Sequence, residues 1–307
     1  IDALTVEKLN PDALYRWNYD SPLGTPVTIR YSFSSNDSGY TTGSNILQRD
    51  FYDYEKNAIK ESINEVSSFT NITFVEVYDI NSSQILFTIN NHRGNGAVLP
   101  PSNEMEDVGY KGVSFSELSN LRYLDPERET NYVRYFNGDI DYKHELARSK
   151  WYIVHELGHA LGLIHPFGEY TLSPLTTEDN NRYNTVLSYG GGNLTSEVFY
   201  SSSFRNYDII TLQHLYGKNV NKNTGDTLYE YDDSYDFHQT IIDYDGIDTI
   251  SVLNSERDNI IDLRGGKFSS IAPNFVSWYR VCPDGGAVGC GTNAHEHLNR
   301  SKNNLSL

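Results

Sequence analysis

Apolar and polar residues alternate over residues 26–33, so that the apolar side chains fall on one side of an extended chain. A period of two is typical of a half-buried β-strand. The runs NITFVEV (71–77) and QILFTI (84–89), bounded by Asn and Ser residues, predict two further strands. The short run GAVLPP (96–101) ends in two prolines, which favours a position at the edge of a sheet.

Helical periodicity begins near residue 50, where apolar residues recur every three to four positions as far as residue 69. The predicted stripe consists of Phe51, Tyr54, Ala58, Ser62 with Ile63, Val66 and Phe69. The charged residues predicted on the opposite side are Lys56, Lys60, Glu61 and Glu65. Two more helices are predicted at 145–163 and 207–217, and Gly217 is placed to cap the second.

The order of these elements predicts the domain organisation. Strands around one helix, followed by a helical stretch, favour an α/β or α+β domain that ends near residue 217. Beyond VNKNTGDT (220–227) the sequence changes to turns rich in Asp, Gly and Tyr between short β-like runs. Two such runs are TISVL (249–253) and NIIDL (259–263). We therefore expect one domain at 1–219 and a β-rich region at 220–307.

Charge and composition exclude several classes of protein. The 307-residue chain has 24 basic and 41 acidic residues and a net charge of −17, which argues against nucleic acid and anionic membranes as partners. Aromatic residues make up 13%, too many for a disordered acidic chain. No apolar run approaches the ~18 residues of a membrane span. In an oxidising compartment, we expect Cys282 and Cys290 to form one disulfide.

The stretch HELGHALGLIHP carries the candidate chemistry. His155 and His159 are one helical turn apart, so both imidazoles project from the same face and can bind one metal ion. Glu156 flanks the same site and is suited to deprotonate a water molecule. Gly162 can adopt a left-handed conformation that ends the helix and brings His165 in from a third direction. Three nitrogens and an open position describe a catalytic zinc site.

This pattern, HExxHxxGxxH, is the metzincin signature, and Pro166 after the third histidine resembles the serralysins. Other segments resemble the same family, namely TNITFVEV (70–77), AVLPP (97–101), DIITLQHLYG (208–217) and TGDT (224–227). The resemblance covers roughly residues 25–270. It implies an α+β (α/β) metzincin catalytic domain with a twisted mixed sheet and an active-site helix. A short β-rich C-terminal region would follow this domain.

The resemblance also implies roles for individual residues. Zinc would be bound by His155, His159 and His165, and Glu156 would be the general base. The segment NTVLSYG (184–190) is similar to the Met-turn of the family. Its Tyr189 would be a fifth zinc ligand in the free enzyme and would swing away to stabilise the oxyanion.

Two departures from the family pattern stand out. Leu187 occupies the position of the Met-turn methionine, and because that thioether only packs beneath the histidines, leucine of similar volume is an acceptable replacement. The glycine-rich nonapeptide repeats that build the β-roll of the family are absent from 220–307. What remains resembles only the opening of that calcium-binding domain.

One calcium site is nevertheless expected at the start of this region. The matching positions are the carbonyls of Asn223, Gly225, Thr227 and Asp245 and the carboxylates of Asp243 and Asp248. Six oxygens of this kind suit calcium, which takes about 6–8. The alternative is that these aspartates form an ordinary solvated turn.

The sequence thus predicts a secreted, extracellular bacterial zinc endopeptidase that needs Zn²⁺ and binds Ca²⁺. We expect a monomer that binds protein or peptide substrates along an edge strand near Ala97–Leu99. One alternative is a non-catalytic, zinc-stabilised binding or toxin subunit on a metzincin scaffold, which the presence of Glu156 opposes. Another is an astacin-like metzincin, which Pro166 and TGDT oppose.

Overall fold

The computed structural model describes residues 4, 15–34, 50–90, 97–98, 101, 112–116, 135–136, 139–140, 142–167, 174–176, 179–189, 200–233, 239–271, 275–278, 296–299 and 305–306. Two compact units divide the chain. The first comprises Ile1–Gly190 with Phe199–Lys222, and the second comprises Gly191–Val198 with Asn223–Leu307. Cys282 and Cys290 lie outside the described residues, so their disulfide stays a prediction.

A five-stranded mixed sheet forms the framework of the first unit. Its strands are β1 (Val27–Ser34), β2 (Ile72–Glu76), β3 (Ile85–Asn90), β4 (Ala97–Val98) and β5 (Gly112–Ser116). They are ordered β2-β1-β3-β5-β4, parallel except that β4 runs antiparallel to β5 at the edge. The strand predicted at 26–33 is confirmed as β1, but its alternation ends at Tyr31 because Ser32 is buried as well. The predicted edge position is confirmed for β4. Sequence analysis missed β5.

Helix α1 (Asp53–Phe69) follows the predicted stripe, with Ala58, Ile63 and Val66 buried. At the start of the helix, the N–H of Tyr52 donates to the carboxylate of Glu55 at 2.8 Å. Glu65 departs from the prediction. Its carboxylate accepts the N–H of Phe204 at 3.0 Å instead of standing in solvent.

Two further helices carry most of the site. Helix α2 (Tyr142–Ala160) starts three residues earlier and ends three residues earlier than the prediction of 145–163. Its terminal carbonyls have side-chain donors: the indole N–H of Trp17 bonds to Ala160, and the phenol of Tyr216 bonds to Leu161. Helix α3 (Asn206–Tyr216) ends as predicted at Gly217, which has φ of 84°. The first unit also contains the short pair β6 (Tyr135–Phe136) and β7 (Asp139–Ile140).

The second unit consists of small sheets. Its strands are β8 (Leu228–Asp232), β9 (Gln239–Thr240), β10 (Thr249–Asn254), β11 (Phe268–Ser269), β12 (Phe275–Trp278), β13 (Glu296–Asn299) and β14 (Leu305–Ser306). Strands β8 and β10 pair in parallel, β14 pairs with β9 and β11, and β12 pairs with β13. A small core of Tyr231, Ile241 and Ile271 lies inside this unit.

The run TISVL forms β10, but the strand predicted at NIIDL (259–263) is wrong. Only Ile260 makes a bridge there, opposite Ser270. Ile260 and Leu263 are 70% and 71% exposed, so the apolar residues of this run do not gain the burial that favours a strand. None of the helices that the structure describes has the length and apolarity of a membrane span.

Candidate metal centre

Three histidines converge at the end of α2. His155 and His159 project from the same face of the helix, and His165 approaches from the following segment. The Nε2 atom of His165 lies 3.1 Å from Nε2 of His159 and 3.2 Å from Nε2 of His155. In the described part of the chain, this is the one group of three or more His, Cys, Asp or Glu side chains whose ligand atoms lie within 4.8 Å of one another.

The position of His165 depends on a tight turn at Gly162. Its φ of +99° is in the left-handed region, as the sequence predicts. A Cβ atom at this position would lie 1.8 Å from the carbonyl oxygen of Tyr15, so only glycine fits. The N–H of Ile164 then donates to the carbonyl of Leu4 at 3.0 Å. The N-terminal part of the chain therefore fixes the turn that delivers the third histidine.

Backbone carbonyls orient two of the three rings. Nδ1 of His155 lies 2.7 Å from the carbonyl oxygen of Val186, and Nδ1 of His159 lies 2.8 Å from that of Leu163. A carbonyl can only accept, so each Nδ1 carries the proton and each Nε2 presents a lone pair to the centre.

The electrostatics of the site keep the rings neutral. Burial, followed by repulsion from His159, lowers the pKa of His155 well below its usual value. Burial and the neighbouring His165 lower the pKa of His159 to about 4, and burial also lowers the pKa of His165. At pH 7 the three imidazoles are therefore in the form that binds metal ions.

These distances fit zinc. A tetrahedral zinc ion with ligand bonds of 2.0–2.1 Å places its nitrogens about 3.3 Å apart. Neutral imidazoles whose lone pairs face one another at 3.1–3.2 Å repel unless a cation or proton lies between them. The chemistry and the geometry of the donor set thus both suit a dication.

The structure places Glu156 and Tyr189 at the same centre. Glu156 is 3% exposed, and burial raises the pKa of its carboxyl group to about 8. The ring of Tyr189 lies 4.6 Å from that of His165 and 5.6 Å from that of His155, measured between centroids. Burial and then the charge of Glu156 raise the pKa of the Tyr189 phenol. The phenol is thus a neutral donor at pH 7.

A residue of α3 stabilises the turn that contains Thr185, Val186 and Leu187. Asp208, which is fully buried, accepts hydrogen bonds from the hydroxyl of Thr185 and the N–H of Val186. Leu187 is also fully buried, and its Cδ2 atom would lie 3.0 Å from a Cβ atom built on Gly158. Leu187 therefore packs closely against α2, which agrees with its predicted role as an apolar floor.

Sequence analysis missed three residues that support this arrangement. Trp151, one turn before His155, donates its indole N–H to the carbonyl of Val186 at 3.0 Å. The guanidinium of Arg182 lies 4.5 Å from the Trp151 ring centroid and 4.7 Å from that of Tyr200. Asp208 offered one signal, since an acidic residue in the first turn of a helix is favoured there. Nothing in the sequence marked Arg182.

The predicted calcium residues lie in the second unit. Thr227 donates its N–H to the carboxylate of Asp248 at 3.0 Å, and its carbonyl accepts the N–H of Thr249 at 2.8 Å. One carboxylate oxygen of Asp243 accepts the phenol of Tyr229 at 2.7 Å. The other oxygen is buried and has no hydrogen-bond partner within the described residues. A buried carboxylate oxygen of this kind suits a cation.

The remaining predicted positions form the turns of this segment. Gly246 has φ of +116°, and a Cβ atom there would lie 2.7 Å from the carbonyl oxygen of Gly225. The carbonyl of Asn223 accepts the N–H of Tyr244 at 3.4 Å, and a carboxylate oxygen of Asp245 accepts the N–H of Gly246. Only glycine therefore fits at Gly246, whereas Gly225 does not adopt a positive φ.

Sequence comparison identifies bacterial relatives. The chain is 27% identical to serralysin of Proteus mirabilis, across 83% of this chain and 55% of that protein. It is 26% identical to serralysin B of Dickeya chrysanthemi, across 87% and 58%. It is 23% identical to metallopeptidase AprA of Pseudomonas marginalis, across 88% and 59%. The chain thus spans little more than half the length of these curated relatives. No protein-family model matches it.

Among solved structures, myroilysin overlaps with 67% of this chain and 97% of its own, at 15% identity and a TM-score of 0.38. An overlap at this score supports no conclusion about the fold. The sequence similarity, in contrast, extends over most of the chain, which is therefore serralysin-like.

Proposed function

We propose that this serralysin-like chain is a zinc-dependent endopeptidase that hydrolyses peptide bonds in protein substrates. The observation that carries the proposal is the convergence of three neutral imidazoles beside a buried carboxyl group, with Nε2 of His165 at 3.1 and 3.2 Å from Nε2 of the other two histidines. Zinc held by His155, His159 and His165 would supply a Lewis acid for the scissile carbonyl and lower the pKa of a water molecule.

The chain's own residues would then move the protons. Glu156 would take a proton from the attacking water and return it to the leaving amine; a bound zinc ion would favour the ionised carboxylate that this role needs. Tyr189 would be a fifth zinc ligand in the free enzyme. Its phenol, packed against His155 and His165, would donate a hydrogen bond to the developing oxyanion of the substrate.

The sheet edge suggests how a substrate binds. Strand β4 ends the order of the five strands and runs antiparallel to β5. An extended peptide would pair its backbone with Ala97–Val98 and thereby add a strand to the sheet. Backbone pairing does not depend on side chains, so we expect broad acceptance of protein substrates. Leu99, also expected to take part, lies outside the described residues.

We also propose a calcium ion at the start of the second unit. Its ligands would be the carboxylates of Asp243 and Asp248 and the carbonyls of Asn223, Gly225, Thr227 and Asp245. The partnerless, buried carboxylate oxygen of Asp243 supports this proposal. The hydrogen bond from Thr227 to Asp248 supports it too, because it brings two of these residues together.

The similarity to bacterial serralysins supports a secreted, extracellular protein, and we propose that it acts as a monomer. The same similarity, together with Pro166, favours a serralysin-like enzyme over an astacin-like one. The net charge of −17 supports neither nucleic acid nor an anionic membrane as partner.

The proposal is tested by measuring the zinc content of the purified chain and its hydrolysis of casein. We expect one zinc ion per chain, loss of hydrolysis with a zinc chelator, and recovery on adding zinc. Hydrolysis that is indifferent to the chelator would refute the proposal. A chain that binds zinc but cleaves neither casein nor a mixed peptide library would instead be a non-catalytic, zinc-stabilised binding or toxin subunit.

A further inference from the structure

We propose that Phe167 is a positioning residue that holds the ring of His165, and with it the phenol of Tyr189, in the metal centre. The inference rests on the proposed function, because it assigns Phe167 a role toward bound zinc. It goes beyond the signature pattern, in which this position has no part.

The three histidines differ in what orients them. A carbonyl accepts the Nδ1 proton of His155, and another accepts that of His159, at 2.7 and 2.8 Å. For His165, Nε2 faces the other two histidines, and the described residues provide no hydrogen-bond partner for Nδ1. Histidine ligands ordinarily have a partner on the second ring nitrogen, which fixes the ring plane. Among the described residues, the ring of His165 therefore depends on another means of support.

The ring of Phe167 provides this support. It stacks on His165 with centroids 5.1 Å apart and an interplanar angle of 12°. A nearly parallel neighbour resists rotation of the imidazole about its Cβ–Cγ bond, since rotation would drive the ring edge into the phenyl face. Pro166, between the two residues, has a fixed φ that limits their relative movement.

Phe167 also contacts the tyrosine. Its centroid lies 5.2 Å from that of Tyr189, and Tyr189 in turn lies 4.6 Å from His165, so the three rings contact one another in pairs. Tyr189 is 49% exposed, so neighbouring residues cover only about half of its surface. The phenyl ring therefore limits movement of both His165 and Tyr189 at the open side of the site.

The experiment measures zinc affinity by competition with a chromogenic chelator, and the melting temperature of the metal-free protein. Phe167→Leu and Phe167→Met remove the ring, whereas Phe167→Tyr keeps it. Phe33→Leu is the matched control, because Phe33 is also a partly exposed phenylalanine in a stacked pair, with Phe87 at 5.4 Å. The contacts of Phe33 are with residues of the sheet, with Lys56 of α1 and with Phe51 just before it, away from the histidines.

We expect both ring-removing variants to raise the Kd for zinc about 10-fold, the usual effect of removing a group that supports a metal ligand. Phe167→Tyr should bind zinc as the parent does. Phe33→Leu should lower the melting temperature of the metal-free protein without changing the Kd.

Parent-like zinc affinity in Phe167→Leu and Phe167→Met would overturn the proposal. An equal loss in Phe167→Tyr would also overturn it, because the ring would then not be what matters. If the parent itself binds no zinc, the proposed function has failed, and this is seen before any variant is compared.

Discussion

The buried carboxylate of Asp208 accepts the N–H of Val186 at 2.9 Å and so ties the first turn of α3 to the turn beneath the metal centre. The carbonyl of the same valine accepts the ring N–H of His155 at 2.7 Å. Asp208 also accepts the hydroxyl of Thr185 and the N–H of Arg205. Asp208 thus supports His155, which lies 53 positions earlier in the sequence (208 − 155), through the backbone of Val186.

Replacing Asp208 tests this link. Asp208→Ala would leave two backbone donors unpaired and would remove a carboxylate that offsets the charge of the fully buried Arg205, so we expect a loss of about 3–5 kcal/mol of stability and weaker zinc binding. Asp208→Asn can still accept both N–H groups and should lose less of each. Urea unfolding and chelator competition measure the two effects. An Asp208→Ala variant equal to the parent in both would show that the link is not needed.

Glu156→Gln separates the proposed base from the ligands. Glutamine keeps the size of the side chain but cannot take a proton, so kcat should fall by about 10²–10⁴-fold while one zinc ion stays bound. Metal analysis of the purified variant and casein hydrolysis are the measurements. A variant that loses its zinc would show that Glu156 is a ligand instead.

Leu187→Met tests the floor of the site. Because Leu187 is fully buried and acts only by packing, the change should alter stability by less than about 1.5 kcal/mol and leave zinc bound. Turnover should stay close to that of the parent. A large gain in kcat would contradict this expectation, since the floor residue would then influence the metal itself.

Glu65 predicts a pH dependence of stability. Burial raises its pKa from 4.5 to about 8, so between these values the folded chain keeps a proton that the unfolded chain releases. Stability should therefore fall as pH rises across this window, by up to about 1.4 kcal/mol per unit. Glu65→Gln, which has no proton to lose, should not show this contribution.

Urea unfolding at several values between pH 5 and pH 8, followed by tryptophan fluorescence, measures the effect. Trp17 and Trp151 both report on the first unit. We expect the stability of Glu65→Gln relative to the parent to increase with pH. A constant difference between the two proteins would show that Glu65 does not titrate in this range.

Calcium should raise the melting temperature of the chain, because it binds only the folded state. A ligand of this kind adds about 2.7 kcal/mol to the free energy of unfolding when its concentration is 100 times its Kd. Asp248→Ala should abolish this shift, as should Asp243→Asn. Asp262→Ala is the control, since this aspartate of the second unit pairs with Arg264 and lies outside the proposed site. If calcium does not change the melting curve of the parent, these aspartates form an ordinary solvated turn and not a calcium site.

The features that sequence analysis predicted correctly depend on residues that are close together in the sequence. The stripe of α1, the cap at Gly217 and the turn at Gly162 follow from side-chain periodicity and from the freedom of glycine. The histidine spacing is likewise local, because one helical turn separates His155 from His159.

The features that sequence analysis missed depend on contacts between segments that are far apart in the sequence. The spacing predicts Glu65 on the polar side of α1, but its carboxylate accepts the N–H of Phe204. Asp208 and Arg182 support the site through partners that no periodicity connects. The run NIIDL has the composition of a strand but no strand partner beyond one bridge, and composition alone does not provide one.

The close approach of Tyr15 to Gly162 has a consequence for how the metal centre assembles. All three histidines fall within eleven consecutive residues, yet the third depends on chain that lies far away in sequence. The indole N–H of Trp17 closes the end of α2 across 143 positions, and Leu4 holds Ile164. A peptide of the signature alone lacks these contacts, and it must bear the full entropy cost of ordering the turn when zinc binds. High zinc affinity is therefore a property of the folded first unit, and a fragment that begins after Trp17 would contain every ligand but bind zinc weakly.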